Sequence, residues 1–274
     1  MTTRRDTLER IAAALERLAP PVAPPQDWQS APAYVWSAGG AQAVPTLAAL
    51  PVETLRGVDE QKAAFRANVD RLANGAAAHD TLLWGARGMG KSALVRAAVA
   101  DAQKKEPNSI ALVQVTGEGL ATIGELLAQL SQEIRAFLLF FDDLGFGADQ
   151  HREMLTLRSL LDGGVTPRPA HIRIAVTSTR RAIVQRDANE SEALHERDAR
   201  DDALALADRF GLTLGFHPCD RATYLEIVRA YTDPKGLEVN EEQAMAWAIA
   251  RGGLSGRAAL QFATELAGRA GISL

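Results

Sequence analysis

Gly85, Gly90, Lys91 and Ser92 fit the pattern G-x-x-x-x-G-K-[ST] in the stretch GARGMGKS, with the apolar run TLLW before it and the helical pattern ALVRAAVA after it. That context suits phosphate chemistry. Glycines let the backbone turn its N–H groups inward around an anion, and the helix start adds a favourable dipole. Lys91 then reaches the terminal phosphates of a nucleotide, and the Ser92 hydroxyl becomes a ligand for Mg²⁺. The bland alternative is a glycine turn that merely starts a helix.

Such a site needs an acid at the end of a buried strand to hold the metal through water. The run FLLFFDD supplies Asp142 and Asp143 after five apolar residues. We assign Asp142 to hydrated Mg²⁺ and Asp143 to the attacking water. Many ATPases carry Glu at the second position. Asp is one methylene shorter, which shortens its reach and predicts slower hydrolysis. HIRIAVTST reads as a further buried strand ending in polar residues, one of which would face the γ-phosphate or the water. Thr179 is the chosen residue, with Thr177 and Ser178 as close alternatives.

Two arginines complete the set. Arg209, in LADRFGLTLGF, ends a helix before the last strand, where it would point out of its own site toward a neighbouring subunit's γ-phosphate. Taken alone, it reads as a surface arginine favoured by the helix C-terminus. Arg257, in GGLSGRAALQF, lies in the first turn of a helix, where the dipole opposes a cation, so it needs another reason to be there. Binding phosphate across a cleft is such a reason.

Apolar runs alternate with helical patterns from TLLWG to LTLGFHP, which predicts an α/β unit whose parallel sheet lies between helices. After Pro218 only helical patterns remain, so residues 219–274 are expected to form a small all-helical lid. Residues 51–218 are expected to form the nucleotide-binding unit. Residues 1–50 are expected to be an N-terminal helix, carrying Leu8, Ile11, Leu15 and Leu18 at helical spacing, and a Pro-rich arm anchored by Trp28 and Trp36.

The 274 residues are 47% hydrophobic and 23% charged, with a formal net charge of -4. That balance suits a globular chain with a real core and offers no global positive field for nucleic acid. No apolar run approaches the roughly 20 residues that span a bilayer. A lone Cys219 and an N-terminal segment without an apolar signal core point to the cytoplasm. The histidines show no metal-ligand spacing, and the acidic stretch at 187–202 reads as a solvated segment.

Together LRGVDEQKAAFRANVDRLANG, LLWGARGMGKSALV, FFDDL, TSTRR, DRFGLTLGFHP and GGLSGRAALQF resemble an AAA+-type P-loop ATPase, and more narrowly the bacterial family catalogued as domain of unknown function 815. The resemblance runs from about Leu55 to about Ala267. It implies ATP with Mg²⁺ and a homo-oligomer that shares sites. It also implies that Gly85, Ala86, Arg87, Gly88, Met89, Gly90, Lys91 and Ser92 form the Walker A loop, with Asp142 and Asp143 as Walker B. Thr179 falls at sensor 1, where such proteins carry Asn. Arg209 falls at the arginine finger, Arg257 at sensor 2, and Gly57 and Val58 at the adenine.

Two readings divide on turnover: an ATPase completed by a neighbour's Arg209, and a nucleotide-gated switch that recruits a partner with little hydrolysis. The protein client is named by no motif. The region TGEGLATIGELL lacks the aromatic residue that threading unfoldases place after the second strand, which speaks against polypeptide threading. A nucleic-acid loader is disfavoured by the acidic balance, and a small-molecule kinase would leave Arg209 and the helical tail unexplained.

Overall fold

Strands whose residues are apolar on both faces have to lie inside a sheet covered on both sides. The computed structural model, which describes residues 10, 26–144, 151–163, 167–179 and 206–274, places them there. The central strands are β3 (Thr81–Gly85), β4 (Ile110–Val115), β5 (Ala136–Phe141) and β6 (Ile172–Ser178); β7 (Leu212–Phe216) flanks β3. All six residues of β5 are buried. Among the described residues these five and a hairpin of β1 (Ala33–Ser37) and β2 (Gly40–Val44) make one seven-stranded sheet in the order β2-β1-β4-β5-β6-β3-β7. Every pairing is parallel except β1 with β2.

Helices α1 (Asp59–Ala73) and α2 (Lys91–Lys105) pack on one face of the sheet, burying Phe65, Val69, Leu72, Leu94, Val95 and Val99 against Leu83, Leu112, Leu138 and Phe140. The other face carries α3 (Ile123–Leu130) and α4 (His151–Asp162), which contribute Leu126, Leu130 and Leu157 over Phe137, Leu139 and Phe141.

The hairpin corrects the expected boundary. Residues 33–44, placed in an arm outside the α/β unit, extend its sheet through the β1–β4 pairing. Trp28 and Trp36 are almost wholly buried in the same core as Phe137. The short patterns of residues 1–9 and 11–25, and the acidic stretch 187–202, lie outside the described residues.

Arg135 ties this N-terminal segment down. Its buried guanidinium donates to the carbonyls of Trp28 (3.0 Å), Ala31 (2.8 Å) and Ile110 (2.9 Å), and burial pushes its pKa below the usual arginine value. Replacing it by alanine takes this donor from the Trp28 and Ala31 carbonyls, at about 1–3 kcal/mol each before relaxation, whereas Ile110 O still accepts from Gln103 Nε2 at 2.9 Å. Arg135→Ala is therefore expected to lower unfolding free energy by about 2–4 kcal/mol in a urea titration. A lysine, a point charge without the planar fork, should recover less than half of that loss.

The lid consists of α5 (Arg221–Thr232), α6 (Glu241–Ala250) and α7 (Gly256–Arg269) around Tyr224, Val228, Ala244, Ala259 and Phe262. Each helix starts with a side-chain cap: Asp220 accepts from Thr223 N at 2.8 Å, Asn240 from Gln243 N at 3.0 Å and Ser255 from Ala258 N at 3.2 Å. Among the described residues no helix is long and apolar enough to cross a membrane.

Candidate functional site

The phosphate loop begins where β3 runs out. Gly85 has φ +118°, and a Cβ there would lie 2.1 Å from the carbonyl oxygen of Phe216 on β7, so only glycine fits. The next amide, Ala86 N–H, donates to that same Phe216 oxygen at 2.7 Å. Gly90, with φ +89°, is the left-handed cap from which α2 starts. Lys91 opens α2 and is buried. Its Nζ donates to the carbonyls of Gly85 (2.9 Å) and Ala86 (2.8 Å). Burial depresses its pKa, the carboxylates of Asp143 and Asp142 oppose that fall, and Arg257 and Arg87 add to it.

Across from the loop, β6 stands in space between β3 and β5, and register sets the contacts. Phe141 pairs with Val176, so the following residue, Asp142, comes level with Thr177. The Thr177 hydroxyl donates to Asp142 Oδ1 at 2.7 Å, and the Ser92 hydroxyl donates to the same oxygen at 2.5 Å. Thr177 Oγ1 also accepts from Asp143 N–H at 2.8 Å, while its carbonyl accepts from Leu144 N–H at 2.9 Å. Asp143 has φ +54°, the one non-glycine residue with positive φ among those described. Aspartate tolerates this left-handed region better than most residues, and the two Thr177 bonds hold the turn.

The loop, Asp142, Asp143 and the lid enclose a cleft of about 340 Å³. Among the described residues Arg56, Arg87, Lys91, Arg96 and Arg257 line it together with the carboxylates of Asp142 and Asp143, so a cleft in an acidic chain carries local positive charge, which would suit a polyanion. Its lining also includes the apolar side chains of Leu50, Leu55, Val58, Ile227 and Leu260 and the ring of Tyr231, surface that would suit a flat ring. Burial raises the pKa of the Tyr231 hydroxyl, keeping it neutral.

The expected site residues separate into groups. Arg87, Gly88, Met89, Gly90, Lys91, Ser92, Asp142, Asp143 and Arg257 all line the cleft, and so does Val58. Gly57 does not. It has φ +71°, and a Cβ there would come within 2.3 Å of Thr223 Cγ2 on α5, so it makes room for the lid instead. Gly85 and Ala86 shape the loop from behind. Thr179, itself exposed, lines the cleft just past the buried end of β6, whereas the hydroxyl contact to Asp142 belongs to Thr177.

Arg257 N–H donates to Gly88 O at 3.1 Å, fastening α7 to the phosphate loop. Arg209 lies elsewhere. It precedes β7, whose far end pairs with Gly85, so that strand alone puts about 13 Å between Arg209 and its own phosphate loop. Its Nε donates to Asp162 Oδ1 at 2.5 Å. Arg96 and Tyr231 were not expected in the cleft. Nothing in their local sequence marks them, because helical packing alone turns them inward.

No curated protein sequence matches the chain. Among solved structures, a variant of Thermotoga maritima RuvB is similar at 18% identity and TM-score 0.52, covering 82% of this chain and 68% of that one. A second variant of that protein has the same identity and TM-score, covering 81% and 66%. The Aeropyrum pernix Orc1 protein, solved in complex with DNA, is similar at 14% identity and TM-score 0.57, covering 82% of this chain and 62% of that one. Likeness at these identities concerns the fold, and the fold shared is that of the AAA+ ATPases. The family described as "Protein of unknown function (DUF815)" matches residues 29–270, nearly the whole described chain. With that span matched and that sheet and lid in place, the chain belongs to the DUF815 family and has the AAA+ P-loop fold.

Proposed function

We propose that this chain binds Mg-ATP in the cleft between sheet and lid and hydrolyses it, with Arg209 of a neighbouring subunit completing the site. One observation carries the reading: the hydroxyls of Ser92 and Thr177 converge on Asp142 Oδ1 beside buried Lys91, in a cleft whose cations outnumber its carboxylates. An oxygen pair from Ser92 and Asp142 is a hard-ligand set that suits Mg²⁺. Mg²⁺ held by Ser92 and, through water, by Asp142 would offset charge on the phosphates.

The chain's own residues divide the remaining work. Lys91 turns its Nζ from the Gly85 and Ala86 carbonyls to the β- and γ-phosphates. Arg257 reaches them from the lid, so binding draws lid and loop together. Asp143 accepts a proton from the water that attacks the γ-phosphorus, and ADP leaves with the displaced oxygen. Thr177 keeps Asp143 in its left-handed turn, and Thr179 faces the γ-phosphate from the end of β6. Val58 and its apolar neighbours receive the adenine. We place the unit boundary of the lid at residue 219 and assign the chain to the cytoplasm, which suits a single half-buried cysteine whose thiol pKa is raised by burial.

The test is steady-state phosphate release by Asp143→Asn. Turnover is expected to fall about 10²–10³-fold, within the general-base range, while ATP affinity stays within about twofold. Unchanged turnover would remove Asp143 from the chemistry. A second reading is favoured by the short Asp143 side chain and its tethered amide: a nucleotide switch that recruits a protein client. Tight ATP binding with background turnover at every protein concentration would establish that reading. The client is a protein in either case, since the chain's acidic balance disfavours nucleic acid.

A further inference from the structure

Arg209 is held by a residue that no phosphate-site motif contains. Asp162 is the last residue of α4, the helix that follows β5 and its two aspartates in the chain, and its Oδ1 accepts from Arg209 Nε at 2.5 Å. A carboxylate at that position is opposed by the negative end of the helix dipole, so its placement calls for a compensating partner. Arg209 supplies one: its hydrogen bond and charge hold the Asp162 carboxyl below the usual carboxylate range. The pair is only partly buried, with side-chain exposures of 25% for Arg209 and 48% for Asp162. Partly exposed pairs add little to stability, so fold maintenance is a weak reason for this one.

The position of the bond matters more than its strength. A guanidinium gripped at Nε loses rotation about its last torsion, which restricts the direction of its planar fork. An arginine that must meet a transferring phosphoryl group from another subunit gains from being oriented beforehand, because an unoriented side chain loses rotamer freedom at the moment of reaction. We propose that Asp162 is the positioning residue for Arg209, fixing the direction in which its guanidinium meets the γ-phosphate bound to a neighbouring copy of this chain. The proposal rests on the action of Arg209 in trans stated above. It also connects one subunit's acidic strand, through α4, to the next subunit's chemistry.

The experiment compares Arg209→Ala, Asp162→Ala and Asp162→Glu in ATP turnover and nucleotide binding, and then mixes Asp162→Ala with Lys91→Ala subunits. Asp162→Ala is expected to lower kcat about 10–100-fold with KM and ATP affinity unchanged, and Asp162→Glu to recover most of the loss. In the mixture, sites with intact Lys91 receive an intact Arg209 from the other subunit, so turnover should rise well above that of either variant alone. Wild-type turnover in Asp162→Ala alongside lost turnover in Arg209→Ala overturns the positioning role and leaves the trans role standing. Lost turnover in Asp162→Ala that mixing does not restore also overturns it, since the defect then lies within the subunit's own site. Unchanged turnover in Arg209→Ala overturns the trans role itself and this proposal with it.

Discussion

Lys91→Ala is expected to reduce kcat/KM for Mg-ATP on the order of 10⁴-fold, the largest effect of any single substitution in the cleft. Two losses combine. Binding loses a charge-assisted contact to phosphate, about 3 kcal/mol or roughly a hundredfold in affinity. The chemical step loses a fixed positive charge where negative charge shifts in the transition state, another factor of about 10².

The substitution should not unfold the protein. Lys91 is buried as a cation whose pKa is already depressed by desolvation, and its acceptors are two loop carbonyls. Removing it takes away a desolvated charge, and the thermal midpoint is expected to stay within a few degrees of the parent. Isothermal titration with ATP and phosphate release measured on the same preparation check both statements. An alanine variant that binds ATP within several-fold of the parent would place the phosphates away from Lys91.

Arg209→Ala is expected to lower kcat by about 10³–10⁵-fold, the range associated with an arginine supplied to a phosphoryl-transfer site, with ATP affinity little changed. Distance opposes an effect in cis. Arg209 stands before β7, at the end of the sheet away from Gly85, and does not line the cleft. Its contribution is therefore expected to depend on assembly. Parent turnover per subunit should rise with protein concentration and then level off, while the variant stays flat across the same series. A parent whose turnover is high and independent of concentration would exclude a shared site.

Much of the candidate site was legible in the sequence because it is local. GARGMGKS closes on itself over eight residues, and the positive-φ glycines at 85, 88 and 90 leave the backbone few alternatives. FLLFFDD was legible for a related reason: a strand buried on both faces must end where two carboxylates can meet water. The lid helices were legible as helical patterns after Pro218, and in the structure each starts at a side-chain cap, Asp220, Asn240 or Ser255.

The hairpin at 33–44 was not legible. β2 is GAQAV, low in β-branched and aromatic residues, and it is an edge strand held by β1 rather than by its own pattern.

Residue types and their spacing were enough to predict that strands and helices alternate before a helical end, and to nominate the candidate residues for holding a phosphate. Those properties follow from residue type and short spacing. Tertiary structure alone decided which hydroxyl meets Asp142. Thr177 lies inside β6 and Thr179 just past its end, so only the register of β6 with β5 could select Thr177. It also decided that Asp162 grips Arg209 and that Arg135 gathers carbonyls from two distant parts of the chain. Contacts between distant segments depend on how whole elements pack, and no local pattern encodes that distance.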